Sequence, residues 1–391
     1  MKIVLIHNFY QQFGGEDAVA LAEQRLLEQH AEDVVVYSRH NDDIKNYGVT
    51  AKAKFALETG FSQQTNHEIR ALISRWKPDV AYVHNVFPLI SPAVYHALHA
   101  LRVPTVQVIH DFRFLCPNGW FYTQGRICER CKSGKYWNAV RHRCYRGSYL
   151  LSALYAATIG GNRLAGIFDK ITAFICLTEF AKQKLLEVQI PEGKIFIRPN
   201  FLDATATTPT PGKGHNVVYL GRLSAEKGVW TLVRAFEQLP EVSLKIVGTG
   251  PLEAALKTYV HERNLTNVHF AGFQQGENKW AVLQDSVCTV VPSEWYENFP
   301  VVVLEAYAAG KPVIGSNLGS LPYVIEKDRS GLLFEAGNPV DLADKVRELL
   351  RSPAKRATMG SYARTLVENK YSPQQSYQTL KAIFTQVQSL S

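Results

Sequence analysis

Short apolar runs alternate with longer amphipathic stretches along the first two hundred residues. The apolar runs have strand length and are rich in Val and Ile: Lys2–His7, Val34–Tyr37, Asp79–Val83 and Thr105–His110. Stretches with helical spacing of apolar residues lie between them: Glu16–Gln29, Glu68–Trp76 and Ala93–Leu101. Nearly continuous apolar strands separated by helices are typical of a parallel sheet covered on both faces. The pattern therefore predicts a doubly wound α/β domain.

The same alternation restarts after a segment rich in Thr, Pro and Gly at residues 205–214, which reads as a linker. Six more strands are predicted: Asn216–Gly221, Ser243–Gly248, Val268–Gly272, Val287–Pro292, Pro312–Gly315 and Gly331–Phe334. The helices between them are Val229–Gln238, Leu252–Arg263, Val301–Ala309 and Val340–Leu350. We expect Rossmann-like domains at 1–204 and 205–370, and a C-terminal helix at 371–391 that packs on the first domain. In tandem domains of this kind, ligands bind in a central cleft at the carboxyl ends of the strands.

The composition is that of an ordinary globular chain, with 46% hydrophobic and 20% charged residues among 391. No run approaches the roughly 18 apolar residues that a membrane-spanning helix needs. The opening Met1–His7 turns polar at Asn8 without the features of a signal peptide. We expect a cytoplasmic protein, and peripheral attachment at the cytoplasmic face of the membrane stays open.

The net charge of +8 is concentrated in residues 113–146, which we interpret as an insert in the first domain. The cations of the insert face a single acidic residue, Glu129, and are Arg113, Arg126, Arg130, Lys132, Lys135, Arg141, Arg143 and Arg146. Aromatic residues lie among them: Trp120, Phe121, Tyr122, Tyr136, Trp137 and Tyr145. This mixture favours an anionic partner, either phosphate, lipid headgroups or nucleic acid, although a solvated loop would carry the same charges. We expect a basic, aromatic rim beside the acceptor entrance.

Cysteines are also concentrated in the insert, at Cys116, Cys128, Cys131 and Cys144. Their number and the Cys-x2-Cys spacing are those of a structural zinc site, which would order a segment rich in loops. Reduced cysteines or two labile disulfides are the alternatives. The other two cysteines, Cys176 and Cys288, lie in apolar runs and are predicted to be core residues.

The loop Pro292–Pro300 follows an apolar strand and precedes a predicted helix that starts at Val301. The N-terminus of a helix presents unpaired N–H groups and partial positive charge, so this junction can hold a phosphate. Glu297 and Glu305 stand in otherwise apolar sequence, and a carboxylate at such a position can accept hydrogen bonds from a sugar diol. The alternative is that Glu297 only starts the helix and Glu305 lies on a solvated face.

Two glycine-containing loops follow other strands of the second half. In the first, Gly221–Gly228, Arg222 and Lys227 are suited to clamping a diphosphate. In the second, Gly248 and Gly250 form a short turn against which a base or ribose can pack. Each signal alone is weak.

Taken in order, Arg198-Pro199-Asn200, Gly221–Gly228, the Gly248–Gly250 turn and Glu297-x7-Glu305 resemble the retaining glycosyltransferases of family 4, which have the GT-B fold. The resemblance covers nearly the whole chain. It implies a nucleotide-sugar donor, UDP- or GDP-linked, bound mainly by the second domain. It also implies an acceptor bound by the first domain and no catalytic cofactor or divalent metal.

The resemblance also implies roles for single residues. Arg222 and Lys227 would bind the diphosphate, and Glu305 the ribose hydroxyls. The donor sugar would be held by Glu297 and by the backbone at the helix start: Asn298, Phe299, Pro300 and Val301.

In the first domain, Gly14 and Gly15 match the glycine loop that approaches the donor phosphate, with Glu16 just behind them. His110, which is followed by Asp111, matches the histidine beside the donor sugar. The family's usual Pro-Asn-Gly is Pro199-Asn200-Phe201 here, a departure at the hinge between the domains.

Breaking the anomeric bond builds negative charge on the departing diphosphate, and the cations at 222 and 227 would stabilise it. The absence of a well-placed nucleophile favours front-face attack, in which the leaving phosphate takes the acceptor proton. His110 as general base is the rival view. The acceptor is expected to be a glycan or a lipid-linked saccharide.

Two other functions stay open at this point: a GT-B epimerase that acts on nucleotide sugars, and a zinc-knuckle protein that binds nucleic acid. The second would leave Glu297 and Glu305 without a purpose, so we do not expect a nucleic-acid partner.

Overall fold

A computed structural model describes residues 1–12 and 14–389 of the chain. They form two compact units. The first comprises Met1–Thr123, Cys128–Pro199 and the residues from Tyr377 onward, and the second comprises Gln124–Ile127 and Asn200–Ser376. The alternation of apolar and amphipathic segments therefore predicted the α/β character of both units.

The first unit is built on a six-stranded parallel sheet in the order β2-β1-β3-β4-β7-β8. Its strands are β1 Lys2–Phe9, β2 Asp33–His40, β3 Val80–Asn85, β4 Thr105–Ile109, β7 Ala173–Cys176 and β8 Ile195–Ile197. Of the four inner strands, β3, β4 and β7 are buried throughout, as parallel strands covered on both faces must be. A short hairpin in the insert supplies β5 Tyr122–Thr123 and β6 Arg126–Ile127.

Eight helices precede the end of the first unit's sheet: α1 Gly15–Gln29, α2 Val49–Glu58, α3 Gln63–Trp76, α4 Ala93–Ala100, α5 Trp137–Arg141, α6 Tyr149–Leu164, α7 Ile167–Lys170 and α8 Glu179–Leu186. Hydroxyl side chains begin three of them, because Ser62, Ser148 and Thr178 each accept a backbone N–H of the first turn. The helices α5 and α6 lie in and directly after the insert, and predicting them from apolar spacing was not possible.

The second unit repeats the architecture, with parallel strands in the order β11-β10-β9-β12-β13-β14. The strands are β9 Asn216–Leu220, β10 Leu244–Val247, β11 Val268–Gly272, β12 Ser286–Val291, β13 Val313–Ser316 and β14 Gly331–Phe334. Its helices are α9 Val229–Glu237, α10 Glu253–Glu262, α11 Gly276–Gln284, α12 Val301–Ala308, α13 Leu321–Val324, α14 Pro339–Arg351 and α15 Pro353–Thr365. One buried apolar cluster, which includes Cys288, fills the space between this sheet and its helices.

The predicted linker at 205–214 is instead packed against the second unit. Lys311 is fully buried and its Nζ donates to the carbonyl oxygens of Thr210 (2.7 Å) and Lys213 (2.9 Å). The backbone N–H of Thr210 donates to the carbonyl of Ala309 at 2.9 Å. Burial lowers the pKa of Lys311 to about 8. A buried ammonium needs acceptors, and the carbonyls of a proline-containing segment supply them.

The boundaries between the units also differ from the expected 204 and 370. The chain changes unit at Pro199/Asn200 and at Ser376/Tyr377. Asn200 belongs to the second unit, where its Nδ2 donates to the carbonyl of Phe299 at 3.2 Å. The last helix, α16 Pro373–Gln388, reaches the first unit only from Tyr377, whose hydroxyl donates to Glu32 at 2.6 Å. Side-chain contacts of this kind cannot be read from composition.

No helix in the described ranges 1–12 and 14–389 has the length and apolar character needed to cross a membrane.

A buried ion pair joins α1 of the first unit to the residue that follows β8. Arg198 is 1% exposed and donates to both carboxylate oxygens of Glu23 on α1, at 2.6 and 2.7 Å. Its guanidinium also donates to the hydroxyl of Tyr82 at 3.3 Å. A buried ion pair is strongly destabilising when one partner is removed, because the other charge is left uncompensated.

We expect Glu23→Gln to lower the free energy of unfolding by about 3–5 kcal/mol. The double variant Glu23→Leu/Arg198→Met should lose less, since it leaves no buried charge. Urea unfolding at neutral pH measures both. The control is Arg25→Gln, an exposed charge on the same helix. If the single and double variants lost the same free energy of unfolding, an uncompensated buried charge would not be the cause of the destabilisation.

Candidate active site

In the second unit, the loop between β12 and α12 brings Glu297 into a cluster of hydrogen-bond donors. Its Oε1 accepts from Lys227 Nζ at 2.7 Å, Ser293 Oγ at 2.6 Å and Trp295 Nε1 at 2.9 Å. The lysine ammonium also lies over the Trp295 ring, 4.9 Å from its centroid. Glu297 and Lys227, predicted from separate loops, are therefore partners, and Ser293 and Trp295 were not singled out from the sequence.

Glu297 remains a carboxylate at neutral pH although it is buried. Burial would raise its pKa, but the charge and hydrogen bond of Lys227 and the donors Ser293 and Trp295 more than compensate, so the pKa lies below its usual value. The Lys227 side chain is 26% exposed, whereas that of Glu297 is only 7% exposed. The pair thus presents a cation toward solvent and keeps the anion beneath it.

A second ion pair lies on the helix that follows. Glu305 Oε1 accepts from Lys279 Nζ at 2.6 Å, and both side chains are partly exposed. Lys279 lies on α11, and nothing in its own surroundings in the sequence marked it. Glu305 is therefore not on a freely solvated face, and its role in donor binding stays a prediction.

Glycines bring three backbone segments into direct contact around this cluster. A Cβ at Gly228 would lie 1.8 Å from the carbonyl oxygen of Pro292, and one at Gly248 would lie 1.9 Å from that of Gly221. Both positions also have φ in the left-handed region, +66° and +136°. Gly250 is similarly close to the backbone of Leu223. Only glycine permits this approach.

The helix α12 has Pro300 as its N-cap and Val301 as its first residue. Asn298 and Phe299 are buried just before it, and Arg222 is exposed after β9. The orphan N–H groups of a helix start favour an anion at this point.

In the first unit, the loop after β1 leads into α1 through Gly14 and Gly15, the N-cap and first residue of the helix. The backbone N–H of Gly14 donates to Asp17 Oδ2 at 3.0 Å, and the other oxygen of Asp17 lies 2.8 Å from His7 Nε2. Both side chains of that second contact are fully buried. The glycine loop is thus fixed by Asp17, which the sequence analysis did not single out.

His110 lies at the end of β4 and is paired with another histidine. His110 Nε2 and His84 Nδ1 share a hydrogen bond of 2.9 Å, and the two rings are stacked. Burial, reinforced by His7 and Arg198, lowers the pKa of His110 to about 3. The imidazole is therefore neutral at pH 7 and a weak base.

Glu16, at the start of α1, lies among several charged groups. Its Oε2 accepts from the Tyr10 hydroxyl at 2.8 Å. Burial and repulsion by Asp111 raise its pKa to about 8, although Arg113 opposes this. Glu16 is thus protonated at neutral pH, and the predicted neighbour of the glycine loop is an uncharged carboxylic acid.

Arg113 was counted among the surface cations of the insert, but it lies inward. Its Nη2 donates to Asp111 Oδ2 at 2.9 Å and to the Tyr10 hydroxyl at 3.3 Å. Lys132 is likewise paired, with Glu129 at 2.6 Å and with Glu187. The exposed cations of the insert are Arg126, Arg130, Lys135, Arg141, Arg143 and Arg146.

The expectation that the aromatic residues of the insert form an exposed rim is also mostly wrong. Phe121, Tyr122 and Tyr136 are buried, and Tyr145 stacks on Tyr155 with ring centroids 3.8 Å apart. Only the tryptophans of the six stay exposed: Trp120 at 37% and Trp137 at 57%. A loop-rich segment needs its own core, and the aromatic residues supply it.

All six cysteines are free thiols. Burial, followed by the nearby Cys116 and Cys144, raises the pKa of Cys131 to about 12. Over residues 1–12 and 14–389, no three His, Cys, Asp or Glu side chains are arranged to hold a metal ion. Zinc on Cys116, Cys128, Cys131 and Cys144 stays a prediction.

Two family models match the chain. The model described as "Glycosyltransferase Family 4" matches residues 14–206, and "Glycosyl transferases group 1" matches residues 204–366. The sulfoquinovosyl transferase SQD2 of Arabidopsis thaliana is 32% identical over 157 residues, which are 39% of this chain and 30% of that protein. Several curated relatives are matched over less than half of their own length, between 30% and 48%.

Solved structures share the fold over nearly the whole chain. HepE of Anabaena, crystallised with UDP, has a TM-score of 0.69 at 18% identity and is matched over 99% of this chain and 100% of its own. Sucrose-phosphate synthase of Thermosynechococcus elongatus has a TM-score of 0.73 at 18% identity, with 100% of both chains covered. At this identity, the likeness concerns the fold alone.

Glu16 should make stability depend on pH. Its folded pKa lies above that of an ordinary carboxyl, so stability is full below about pH 4.5 and is lost as the pH rises to about 8. One such proton contributes up to about 1.4 kcal/mol per pH unit. Tyr10, Asp17, Asp111 and Arg113 face the carboxyl.

We expect Glu16→Gln to remove this slope from urea-unfolding free energies measured between pH 5 and pH 9. The exposed Glu28→Gln, on the same helix, should keep the wild-type slope. Identical pH profiles for the wild type and Glu16→Gln would contradict a protonated Glu16.

Proposed function

We propose that the chain, which belongs to the family 4 glycosyltransferases, transfers a sugar from a nucleotide-sugar donor to a saccharide acceptor with retention of configuration. The observation that carries the proposal is the Lys227–Glu297 ion pair just before the start of α12. A second ion pair joins Glu305 on α12 to Lys279 on α11. A paired carboxylate beneath a cation is suited to a ligand that offers hydroxyl groups and a phosphate together.

The donor is proposed to be UDP- or GDP-linked. The structural neighbour HepE has been crystallised with UDP and with UDP-glucose, which supports a uridine nucleotide. We assign the diphosphate to Arg222, Lys227 and the N–H groups at the start of α12. Glu305 would accept hydrogen bonds from the ribose hydroxyl groups, which would compete with the hydrogen bond from Lys279. Glu297 would accept hydrogen bonds from hydroxyl groups of the donor sugar, while Lys227 keeps the Glu297 carboxyl ionised.

The reaction is proposed to need no divalent metal. Cleavage of the anomeric bond places negative charge on the departing phosphate, and fixed cations stabilise such charge without reorganisation. Lys227 and Arg222 supply two cations, and the helix start adds its partial charge. A front-face mechanism, in which the leaving phosphate oxygen takes the acceptor proton, is favoured over His110 as base. An imidazole with a pKa of about 3 accepts a proton poorly at neutral pH.

The test is turnover of a panel of nucleotide sugars by two variants, Lys227→Met and Glu305→Gln. Each removes a charged contact to the donor, so we expect transfer to fall by roughly 10²-fold. The matched controls are Lys257→Met and Glu253→Gln, an exposed ion pair of 2.7 Å on α10. Short exposure to EDTA should leave wild-type turnover unchanged.

Unchanged kinetics in folded Lys227→Met and Glu305→Gln would refute the donor site. Loss of activity with EDTA that Mg²⁺ or Mn²⁺ restores would refute metal independence but not the site.

An anionic membrane surface is proposed as a second partner, held by the exposed cations of the insert. Trp137, Tyr149 and Leu150 are 57%, 59% and 79% exposed beside them. The guanidinium of Arg143 lies over the Tyr149 ring, 5.3 Å from its centroid. Exposed apolar side chains among cations are typical of proteins that rest on anionic lipid.

Replacing Arg141, Arg143 and Arg146 by Gln should weaken binding to vesicles of anionic lipid by about two decades at low salt, at about 1 kcal/mol per charge. Vesicle sedimentation measures this. Gln in place of Lys257, Arg263 and Arg329, three exposed cations of the second unit, provides the control. Equal sedimentation of both triple variants and the wild type would exclude the insert as a membrane-binding surface. The affinity for UDP, measured by titration, should be the same in all three proteins.

A further inference from the structure

The hydrogen bonds of Glu297 are unevenly divided between its two carboxylate oxygens. Oε1 accepts from Lys227 Nζ, Ser293 Oγ and Trp295 Nε1, at 2.7, 2.6 and 2.9 Å. Over residues 1–12 and 14–389, no donor is bonded to Oε2, and this oxygen is not closed off from solvent. Since a carboxylate has about four acceptor sites in all, Oε1 is fully used and Oε2 is left for a ligand.

Two of the three donors are neutral groups that can point only one way. Ser293 is 1% exposed, and its hydroxyl must be the donor because a carboxylate only accepts. Trp295 is also a donor here, since an indole N–H has no acceptor capacity. Both hydrogen bonds therefore fix the orientation of the carboxylate and favour its ionised form.

The loop that carries these donors is fixed at several points. The backbone N–H of Glu294 donates to the carbonyl of Glu226 at 2.9 Å, and Thr231 Oγ1 donates to the Glu294 carboxylate at 2.6 Å. Gly319 packs closely on the same loop: a Cβ there would lie 3.0 Å from Tyr296 Cα, at a φ of +58°. The two neutral donors are therefore in place before a ligand binds.

Lys227 differs from them because its ammonium is shared. It bonds Oε1, lies over the Trp295 ring at 4.9 Å, and its side chain is 26% exposed. Under the proposed function the same ammonium binds the donor diphosphate, which competes with Glu297 for it. Ser293 and Trp295 carry no charge, so a phosphate attracts them less. They are suited to hold the carboxylate when Lys227 turns to the ligand.

We infer that Ser293 and Trp295 are positioning residues of the donor site: they hold Oε1 of Glu297, so that Oε2 alone accepts from the ligand and recognises one hydroxyl group of the transferred sugar. The inference deepens the proposed function, on which it rests, by naming two residues that act through Glu297 and by limiting what this carboxylate recognises to a single hydroxyl group.

The variants remove one donor each. Trp295→Phe keeps an aromatic ring beneath the Lys227 ammonium and removes the N–H, and Ser293→Ala removes the hydroxyl group, whereas Ser293→Thr retains it. The control Ser286→Ala removes another buried hydroxyl group of the second unit, which donates to a backbone carbonyl at 2.7 Å. Trp76→Phe, in the first unit, is the control for the tryptophan.

The first measurement is kcat/KM between pH 5 and pH 9, with whichever of UDP-glucose, UDP-N-acetylglucosamine and GDP-mannose the wild type turns over fastest. Loss of one hydrogen bond to a carboxylate should lower kcat/KM about tenfold in Trp295→Phe and in Ser293→Ala. The acid limb of the profile should move about one unit toward higher pH, because both donors lower the pKa of Glu297. Lys227 and, on β9, Tyr219 also face this carboxylate, and they are unchanged in these variants.

Ser293→Thr and the two controls should keep the wild-type acid limb. Folded Trp295→Phe and Ser293→Ala with the wild-type profile and kcat/KM would overturn the positioning role. Equal losses in Ser293→Ala and Ser286→Ala would overturn it as well, because the effect would then be that of any lost buried hydroxyl group. If Ser293→Ala does not fold, Trp295→Phe decides alone.

The second measurement uses the monodeoxy forms of the same nucleotide sugar. One of them should lose about 10²-fold or more in kcat/KM in the wild type, because the oxygen that binds this hydroxyl group is left unpaired. A double-mutant cycle with Glu297→Ala should show coupling at that hydroxyl group and at no other. Coupling at two or more hydroxyl groups would overturn the assignment of Oε2 as the single acceptor.

The wild type keeps the two proposals apart. Turnover of a nucleotide sugar together with unaffected Trp295→Phe and Ser293→Ala rejects the positioning role alone. If none of the three nucleotide sugars is turned over, the proposed function is rejected and the positioning role with it.

Discussion

The ionisation of Glu297 is the condition on which the second unit's candidate site depends. Burial alone would raise the pKa of this carboxyl group and favour its protonated form. The ammonium of Lys227 at 2.7 Å and the hydrogen bonds of Ser293 and Trp295 reverse that tendency. The close contact of Gly228 with Pro292 holds the two loops that carry the pair against each other. The packing of the two loops therefore sets the charge state of Glu297, and that charge state determines which ligand groups the site can bind.

The first unit resolves the same problem in the opposite way. Glu16 has Arg113 nearby, but Asp111 holds that guanidinium at 2.9 Å, and Glu16 keeps its proton. The histidine pair beside it is neutral, since burial and neighbouring positive groups disfavour imidazolium. The first unit thus places an uncharged carboxylic acid and two neutral imidazoles near the Asp111–Arg113 ion pair, whereas the second offers the Lys227–Glu297 and Lys279–Glu305 ion pairs. Under the proposed function, the paired charges would serve the anionic donor and the uncharged groups the hydroxylated acceptor.

The sequence predicted most of the architecture, because strand and helix periodicities are local properties. It also singled out Glu297 and Lys227 in separate loops, and the structure joins them in an ion pair. It could not predict Lys279, which is 26 residues from Glu305 and reaches it only through the packing of α11. For the same reason it could not show that the ammonium of Lys311, far along the chain, fixes the segment at 205–214.

Charge counting failed in the insert for a reason that bears on function. A cation near a carboxylate in the interior is neutralised by it, whereas one at the surface keeps its field. Arg113 and Lys132 belong to the first kind, and Arg141, Arg143 and Arg146 to the second. The insert therefore contributes in two separable ways. Arg113, paired with Asp111, belongs to the interior of the first unit, while the exposed arginines at 141, 143 and 146 are available to the proposed anionic surface, so a substitution in one set should leave the other role intact.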